Sequence, residues 1–191
     1  MRAARQIYSI LDNETLWTTA IECTRLLRRG SGVPHAICGG VAVCLHGYQR
    51  NTVDIDLIIR KADSDAVRSA LEAAGLVWDR DRAEFRSSQG VAVHFLYAGD
   101  RAGRESNVYL PEPEGEFNVE LVEGLTVLRL SKLIEVKIAS GLGDVRRTHK
   151  DFADVVELIA VRKLDSSFAR HLHQLVRQTY RQLVRNARGE S

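Results

Sequence analysis

Two aspartates set two residues apart inside an otherwise apolar run, Thr52-Val53-Asp54-Ile55-Asp56-Leu57-Ile58-Ile59, constrain this chain more than any other feature. The run is rich in β-branched residues and alternates in polarity, the pattern of a strand. Alternate side chains of a strand share a face, so Asp54 and Asp56 project together while Val53, Ile55 and Leu57 turn toward a core. Carboxylates held side by side repel, and burying them costs roughly several kcal/mol unless something compensates. A bound Mg²⁺ compensates well, because a hard cation takes carboxylate and phosphate oxygens together. A strand with one solvated acidic face, Arg50 and Arg60 lying nearby, accounts for the same residues without a metal.

Upstream, Gly39-Gly40 stands between a short strand, Pro34–Cys38, and a helix over the run GVAVCLHG that Gly47 ends. Glycine lets the backbone approach a bulky ligand, and the start of the following helix offers free N–H groups to an anion such as a triphosphate. A tight strand-to-helix turn is the plainer account of the glycines alone. The remaining pattern predicts an opening helix from Glu14 to Leu27, with Leu16, Trp17, Ala20, Ile21, Thr24 and Leu27 on its apolar stripe. A helix from about Ser64 to Ala74 follows, then strands at Leu76–Trp78, around Phe85 and at Val91–Tyr97. The stretch Gly99–Glu116 collects Gly, Pro, Asn, Ser and acidic residues and reads as a surface loop. Phe117–Val122 and Leu125–Leu128 form a hairpin turning at Glu123-Gly124, and helices over Ser131–Ser140, Lys150–Arg162 and Ser166–Arg185 complete the chain.

This order is α+β: a mixed sheet flanked by helices, then a helical C-terminal part. With 191 residues, 45% of them hydrophobic and 27% charged, the chain has the size and composition of a globular domain rather than of a disordered one. An α/β core over 1–128, with a helical segment over 129–191 packed on it as one unit, is the expected division. The net charge of +2 singles out no class of partner. Cys23, Cys38 and Cys44 lack the spacing of a zinc site or a disulfide framework. No apolar run has the length of a signal peptide or a membrane span, so a reduced, cytoplasmic setting without membrane contact is expected.

Taken together, CGGVAVCLHGYQRNTVDIDLII resembles the signature of the nucleotidyltransferase fold of the DNA polymerase beta superfamily. The wider sequence resembles a small bacterial group related to abortive-infection and toxin–antitoxin nucleotidyltransferases. That resemblance extends over VAVHFLYAGDRAG, LSKLIEVKIASG and RRTHKDFADVVELI, roughly Ile37 to Ile159. It implies that Asp54 and Asp56 hold catalytic Mg²⁺ or Mn²⁺ and that Gly39 and Gly40 cradle the phosphates of a nucleoside triphosphate. The implied reaction is attack by an acceptor hydroxyl, on RNA, a protein or a small molecule, at the α-phosphorus with release of pyrophosphate. A place in a toxin–antitoxin or phage-defence system belongs to the same implication.

The chain departs from the superfamily pattern where a third carboxylate is usual: the strand VAVHFLYAG offers His94 there. Histidine suits a transition metal better than Mg²⁺, so His94 is a further metal candidate, and the carboxylate set is incomplete. An isolated histidine in an apolar strand also has an ordinary structural use. The same departure suits an alternative function, a degenerate fold that binds nucleotide or a protein partner without chemistry.

In the helical part, Leu130, Leu133, Ile134, Lys137 and Ile138 share one stripe, which turns the Lys137 ammonium toward the core. Lys137 either snorkels or reaches a phosphate or carboxylate, and the resemblance assigns it to catalysis and nucleotide binding. Asp151 reads as a helix-capping residue by position and as an active-site residue by resemblance, with Asp154 a structural partner for a nearby Arg or Lys. Arg146, Arg147 and Lys150, expected just before that helix, suit phosphate or a solvated turn. Arg170, Arg177, Arg181, Arg185 and Arg188 recur about every four residues, with Leu172, Leu175, Val176 and Leu183 on another face. That pattern describes an amphipathic surface helix or a basic track for RNA.

Overall fold

The computed structural model describes residues 14–189. Helix α1, Glu14–Leu26, runs through a π-helical turn at Leu27–Ser31 into β1, His35–Cys38, and α2, Gly39–Leu45. Strand β2, Asp54–Ile59, and helix α3, Ser64–Ala73, are followed by β3, Val77–Asp79, β4, Glu84–Arg86, and β5, Ala92–Tyr97. The hairpin of β6, Val119–Val122, and β7, Leu125–Leu128, leads into α4, Leu130–Gly143, α5, Val145–Val161, and finally α6, Arg177–Arg188. The expected strands are all present within a residue or two of their predicted ends, because each carries a local alternation or β-branched run.

The seven strands form one mixed sheet in the order β3-β4-β5-β2-β1-β7-β6. Strand β2 lies antiparallel to β1 and parallel to β5, and β1 runs parallel to β7. The two aspartates therefore sit on a central strand. Ile55 and Leu57 are fully buried on one face, whereas Asp54 and Asp56 are half-buried on the other. Val53 departs from expectation: it precedes the strand and is 72% exposed, so it contributes nothing to the core. Ile21 is likewise turned out of the α1 stripe, which instead buries Leu16, Trp17, Thr19, Ala20, Cys23 and Thr24.

Three further differences shape the site. The stretch expected as a surface loop buries Ala102, Val108 and Leu110 and carries a β-bridge between Arg101 and Tyr109. Gly103 lies flat against α4, where a Cβ would come within 2.8 Å of the Ala139 carbonyl. Only a residue without a side chain permits that contact, so the segment is a strap over α4. Helix α5 begins at Val145 rather than near Lys150, because Asp144 accepts a hydrogen bond from the Arg146 amide at 3.0 Å and caps it. Asp151 is thus in the helix interior and is no cap, and Arg146, Arg147 and Lys150 lie within the helix.

The single helix expected over Ser166–Arg185 is broken into 3₁₀ turns at Ser166–His171 and Gln174–Val176, then α6. Leu172 and His173 have extended backbone, and the His173 amide donates to Glu135 of α4 at 2.8 Å. A tertiary bond overrides the local helical pattern there, and it leaves Leu175 52% exposed. Helix α4 packs on α5, and α5 on α6. No helix among the described residues is long and apolar enough to cross a membrane.

Candidate active site

Strand register assembles the site. Cys38 of β1 pairs with Asp56 of β2, and Asp56 pairs with His94 of β5, so three strands place one row of residues across the sheet. In-register neighbours share a face, and His94 Nδ1 lies 3.5 Å from Asp56 Oδ1 and 3.9 Å from Asp54 Oδ2. Strand β4 continues the row: Glu84, buried, accepts a hydrogen bond from His94 Nε2–H at 2.7 Å, and its other oxygen is bound by Arg86. Thr52 Oγ1 donates to Asp54 at 3.1 Å. Neither Arg50 nor Arg60 neutralises the two aspartates; Arg50 pairs with Asp154, and Arg60 with Asp63 and Glu114.

Asp54, Asp56 and His94 each offer one ligand atom, all within 4.8 Å of one another. Two carboxylate oxygens and an imidazole nitrogen, converging from two adjacent strands, fit a divalent cation. The hydrogen bond on the far side of the His94 ring is the usual orienting partner of a ligating histidine.

Without a cation the imidazole itself balances the carboxylates. His94 is raised from the ordinary 6.5 to about 9; Asp56 is the largest cause, partial burial opposes it, and Glu84 and the charge of Asp54 add to it. The folded value exceeds the unfolded one, so this stabilisation is complete below pH 6.5 and fades as pH rises through about 9. Metal-free protein melted across that window should therefore lose stability faster than a His94→Asn variant. Parallel curves would exclude His94 as the balancing cation.

Gly39 has φ +62°, which favours glycine, and a Cβ there would overlap the Asp56 carboxylate. At Gly40 a Cβ would run into Thr52 and the Arg50 guanidinium. The glycine pair therefore serves first to let β2 and its carboxylates pack against the β1–α2 turn. Gly39 also lines a cavity of about 590 Å³ together with Asp56, Arg104, Lys137, Arg147 and Asp151. That volume falls in the range of small-molecule sites. Gly40 is not part of its wall.

Along the cavity a chain of charges runs Arg50–Asp154–Lys137–Asp151–Arg147, buried at Asp154, Lys137 and Asp151 and exposed at Arg147. Lys137 Nζ lies 2.6 Å from Asp154 Oδ2 and 3.1 Å from Asp151 Oδ1. Arg50 Nε is 2.9 Å from the other Asp154 oxygen, and Arg147 Nε is 3.1 Å from the other Asp151 oxygen. Lys137, Asp151 and Asp154 are 4%, 1% and 2% exposed, so Lys137 does not snorkel out to solvent. Burial would push the Asp151 carboxyl up, but Lys137 and Arg147 hold it below the usual carboxylate range. Three cations against two carboxylates leave this chain one positive charge in excess, beside the cavity.

Glu84 is the site residue that sequence reasoning misses. Its signal lies in the Glu84-Phe85-Arg86 alternation, which puts the acid and the arginine on one strand face. Arg146 bonds Asp144, and Lys150 is exposed; of the three basic residues in that stretch, Arg147 lines the cavity.

The model of the aminoglycoside-2''-adenylyltransferase family matches residues 22–155. No curated protein matches the chain by sequence. Among solved structures, the chain is similar to the antibiotic-resistance factor ANT(2'')-Ia in solution, at TM-score 0.55 and 14% identity over 92% of this chain and 94% of that one. It is similar to the crystal structure of ANT(2")-Ia in complex with adenylyl-2"-tobramycin at TM-score 0.56 and 14% identity, over 86% of this chain and 98% of that one. A protein of H. pylori assigned as a nucleotidyltransferase gives TM-score 0.50 and 15% identity, over 91% of this chain and 80% of that one. At such identities the structural likeness carries the fold.

Proposed function

From the premise that the chain belongs to the aminoglycoside-2''-adenylyltransferase family, we propose that it transfers AMP from ATP to a hydroxyl of a small molecule, an aminoglycoside being the first acceptor to test. The observation that carries this reading is the convergence of Asp54, Asp56 and His94 beside a cavity backed by Lys137 and Arg147. Asp54 and Asp56, with His94, are the residues that would hold a divalent cation, Mg²⁺ or Mn²⁺. Bound there, the cation would supply charge neutralisation for the α-phosphate and the attacking and leaving oxygens.

The chain's own residues do the rest. The excess positive charge of this network faces the cavity and suits the β- and γ-phosphates, with Arg147 and Lys137 as the contacting groups. Asp151 holds both of those cations in place, one through each oxygen. Gly39, lacking a side chain, leaves the approach to Asp56 open, so it belongs to the nucleotide site, whereas Gly40 contributes through packing. In the reaction the acceptor hydroxyl gives up its proton to solvent as its oxygen bonds to the α-phosphorus, and the bond from that phosphorus to the oxygen bridging to the β-phosphate breaks, releasing pyrophosphate.

The family favours this chemistry over a degenerate, binding-only use of the fold, and it supports a small acceptor without support for RNA or protein. The exposed arginines of α6 lie outside the cavity wall. A toxin–antitoxin or phage-defence setting would be a context for the same reaction, to be read from neighbouring genes. The test is incubation with α-labelled ATP, Mg²⁺ or Mn²⁺ and a panel of aminoglycosides and simple polyols. Label carried onto an acceptor, with pyrophosphate formed in equal amount, is the expected result. Nucleotide binding with no transfer to any acceptor would favour the binding-only alternative.

A further inference from the structure

We infer that Glu84 is a positioning residue for the cation site, holding the His94 ring so that Nδ1 is the nitrogen presented alongside Asp54 and Asp56. The inference rests on the reading of those three residues as a cation site and adds a residue on a different strand, outside the cavity wall.

A ligating imidazole must present a lone pair, and its second nitrogen then carries the proton. The acceptor that the second nitrogen finds decides which tautomer forms. Here Nε2 faces the Glu84 carboxylate at 2.7 Å, while Nδ1 faces Asp56 at 3.5 Å and Asp54 at 3.9 Å. Glu84 is 6% exposed, so water does not compete freely for it. Its two oxygens are divided: Oε2 accepts from His94, and Oε1 accepts from Arg86, which also donates to the Gly90 carbonyl at 3.1 Å. A carboxylate accepts through both oxygens, so it satisfies both donors at once.

The amide introduced by Glu84→Gln cannot do so. Arg86 has no acceptor to offer, so the new side chain must turn its carbonyl oxygen to Arg86 and its amide nitrogen to His94. An amide donor facing Nε2 makes Nε2 the acceptor and moves the ring proton to Nδ1, the nitrogen that the cation needs. Shape and volume are almost unchanged, so the substitution probes hydrogen-bond polarity rather than packing. Removing Arg86 as well frees the amide to turn its oxygen back to His94.

The experiment uses the full chain and Mn²⁺ alone as the probe, with bound cation counted by the resonance of free Mn²⁺. The ring tautomer is read in parallel from ¹⁵N-histidine spectra of metal-free protein in alkaline solution. Glu84→Gln is expected to weaken Mn²⁺ binding about 10–100-fold and to move the proton to Nδ1. Glu84→Gln combined with Arg86→Met is expected to recover both the tautomer and most of the affinity, which a merely structural role for Glu84 would not do. The inference is overturned if Glu84→Gln keeps the Nε2–H tautomer and wild-type Mn²⁺ affinity, or if the double variant recovers neither. Asp54→Asn separates the two levels: if it leaves Mn²⁺ binding unchanged, the cation-site reading fails and the Glu84 inference falls with it. If Asp54→Asn abolishes binding while Glu84→Gln does not alter it, the inference about Glu84 alone fails.

Discussion

Replacing Asp56 with asparagine is expected to reduce nucleotidyl transfer by about a thousandfold or more while leaving the protein folded. Asp56 is the residue that belongs to both parts of the candidate site: it supplies a ligand atom beside Asp54 and His94, and it lines the cavity beside Gly39 and Lys137. Asparagine preserves its shape and its place against Gly39 but loses the charge that a hard cation requires. The loss of a cation that stabilises charge in the transition state is worth several kcal/mol, about three powers of ten in rate. Stability should move little, because the substitution relieves the repulsion between Asp54 and Asp56 even as it removes a partner from His94. Turnover should be measured with Mg²⁺ and Mn²⁺ alongside thermal melting. Activity within about tenfold of wild type would sink the proposed role of the Asp54/Asp56 pair.

The second large effect is on stability. Asp154→Ala removes a carboxylate that binds Lys137 at 2.6 Å through one oxygen and Arg50 at 2.9 Å through the other, in a setting only 2% exposed. Breaking a buried ion pair from one side leaves charge buried without its counter-charge, at a cost of about 3–5 kcal/mol. For a chain of this size that corresponds to a melting point lowered by roughly 10 °C. Lys137 retains Asp151, but among the described residues Arg50 has no second carboxylate within ion-pair distance. Adding Arg50→Met to Asp154→Ala should return part of the loss, since it removes the charge that the single variant leaves unpaired. A single variant that melts close to wild type would show that the network does not stabilise the fold as its geometry requires.

These two residues differ in how far the chain's local pattern announces them. Asp56 is evident from sequence because strand periodicity is a property of a few consecutive residues, and Asp54-Ile55-Asp56-Leu57 alternates. Asp154 is expected as a partner for some arginine or lysine only through the resemblance. Which cations it binds depends on α2–β2 and α4 meeting α5, and no local window contains that information. Lys137 illustrates the same division: helical spacing turns it inward, but only the packed helices supply the two aspartates that make its burial tolerable.

The differences in the helical half have a common origin. The start of α5 falls earlier than its pattern suggests because Asp144, directly after Gly143, is a cap whose signal competes with the acidic residues farther along. The final helix is shorter than its periodicity because the break at Leu172–His173 is held by Glu135, which lies in α4. The Gly99–Glu116 segment has the composition of a solvent loop, whereas the facing glycines at 103 and 143 bring it against α4.

What the sequence by itself determined is the set of local commitments: an acidic pair on one face of a strand, a glycine turn before it, a lysine on the inner stripe of a helix, and a histidine in the strand expected to lie alongside. The first three follow from backbone periodicity or from the steric freedom of glycine, which act over a handful of residues, and the placing of the histidine beside them follows from the resemblance. Tertiary structure alone decided the pairings: β4 against β5, which brings Glu84 to His94; α5 against α4 and the β1–α2–β2 unit, which links Arg50, Asp154, Lys137, Asp151 and Arg147; and the strap that closes one side of the cavity. Those pairings depend on strand register and helix packing between segments distant in the chain, where side-chain contacts rather than local propensity select the partner.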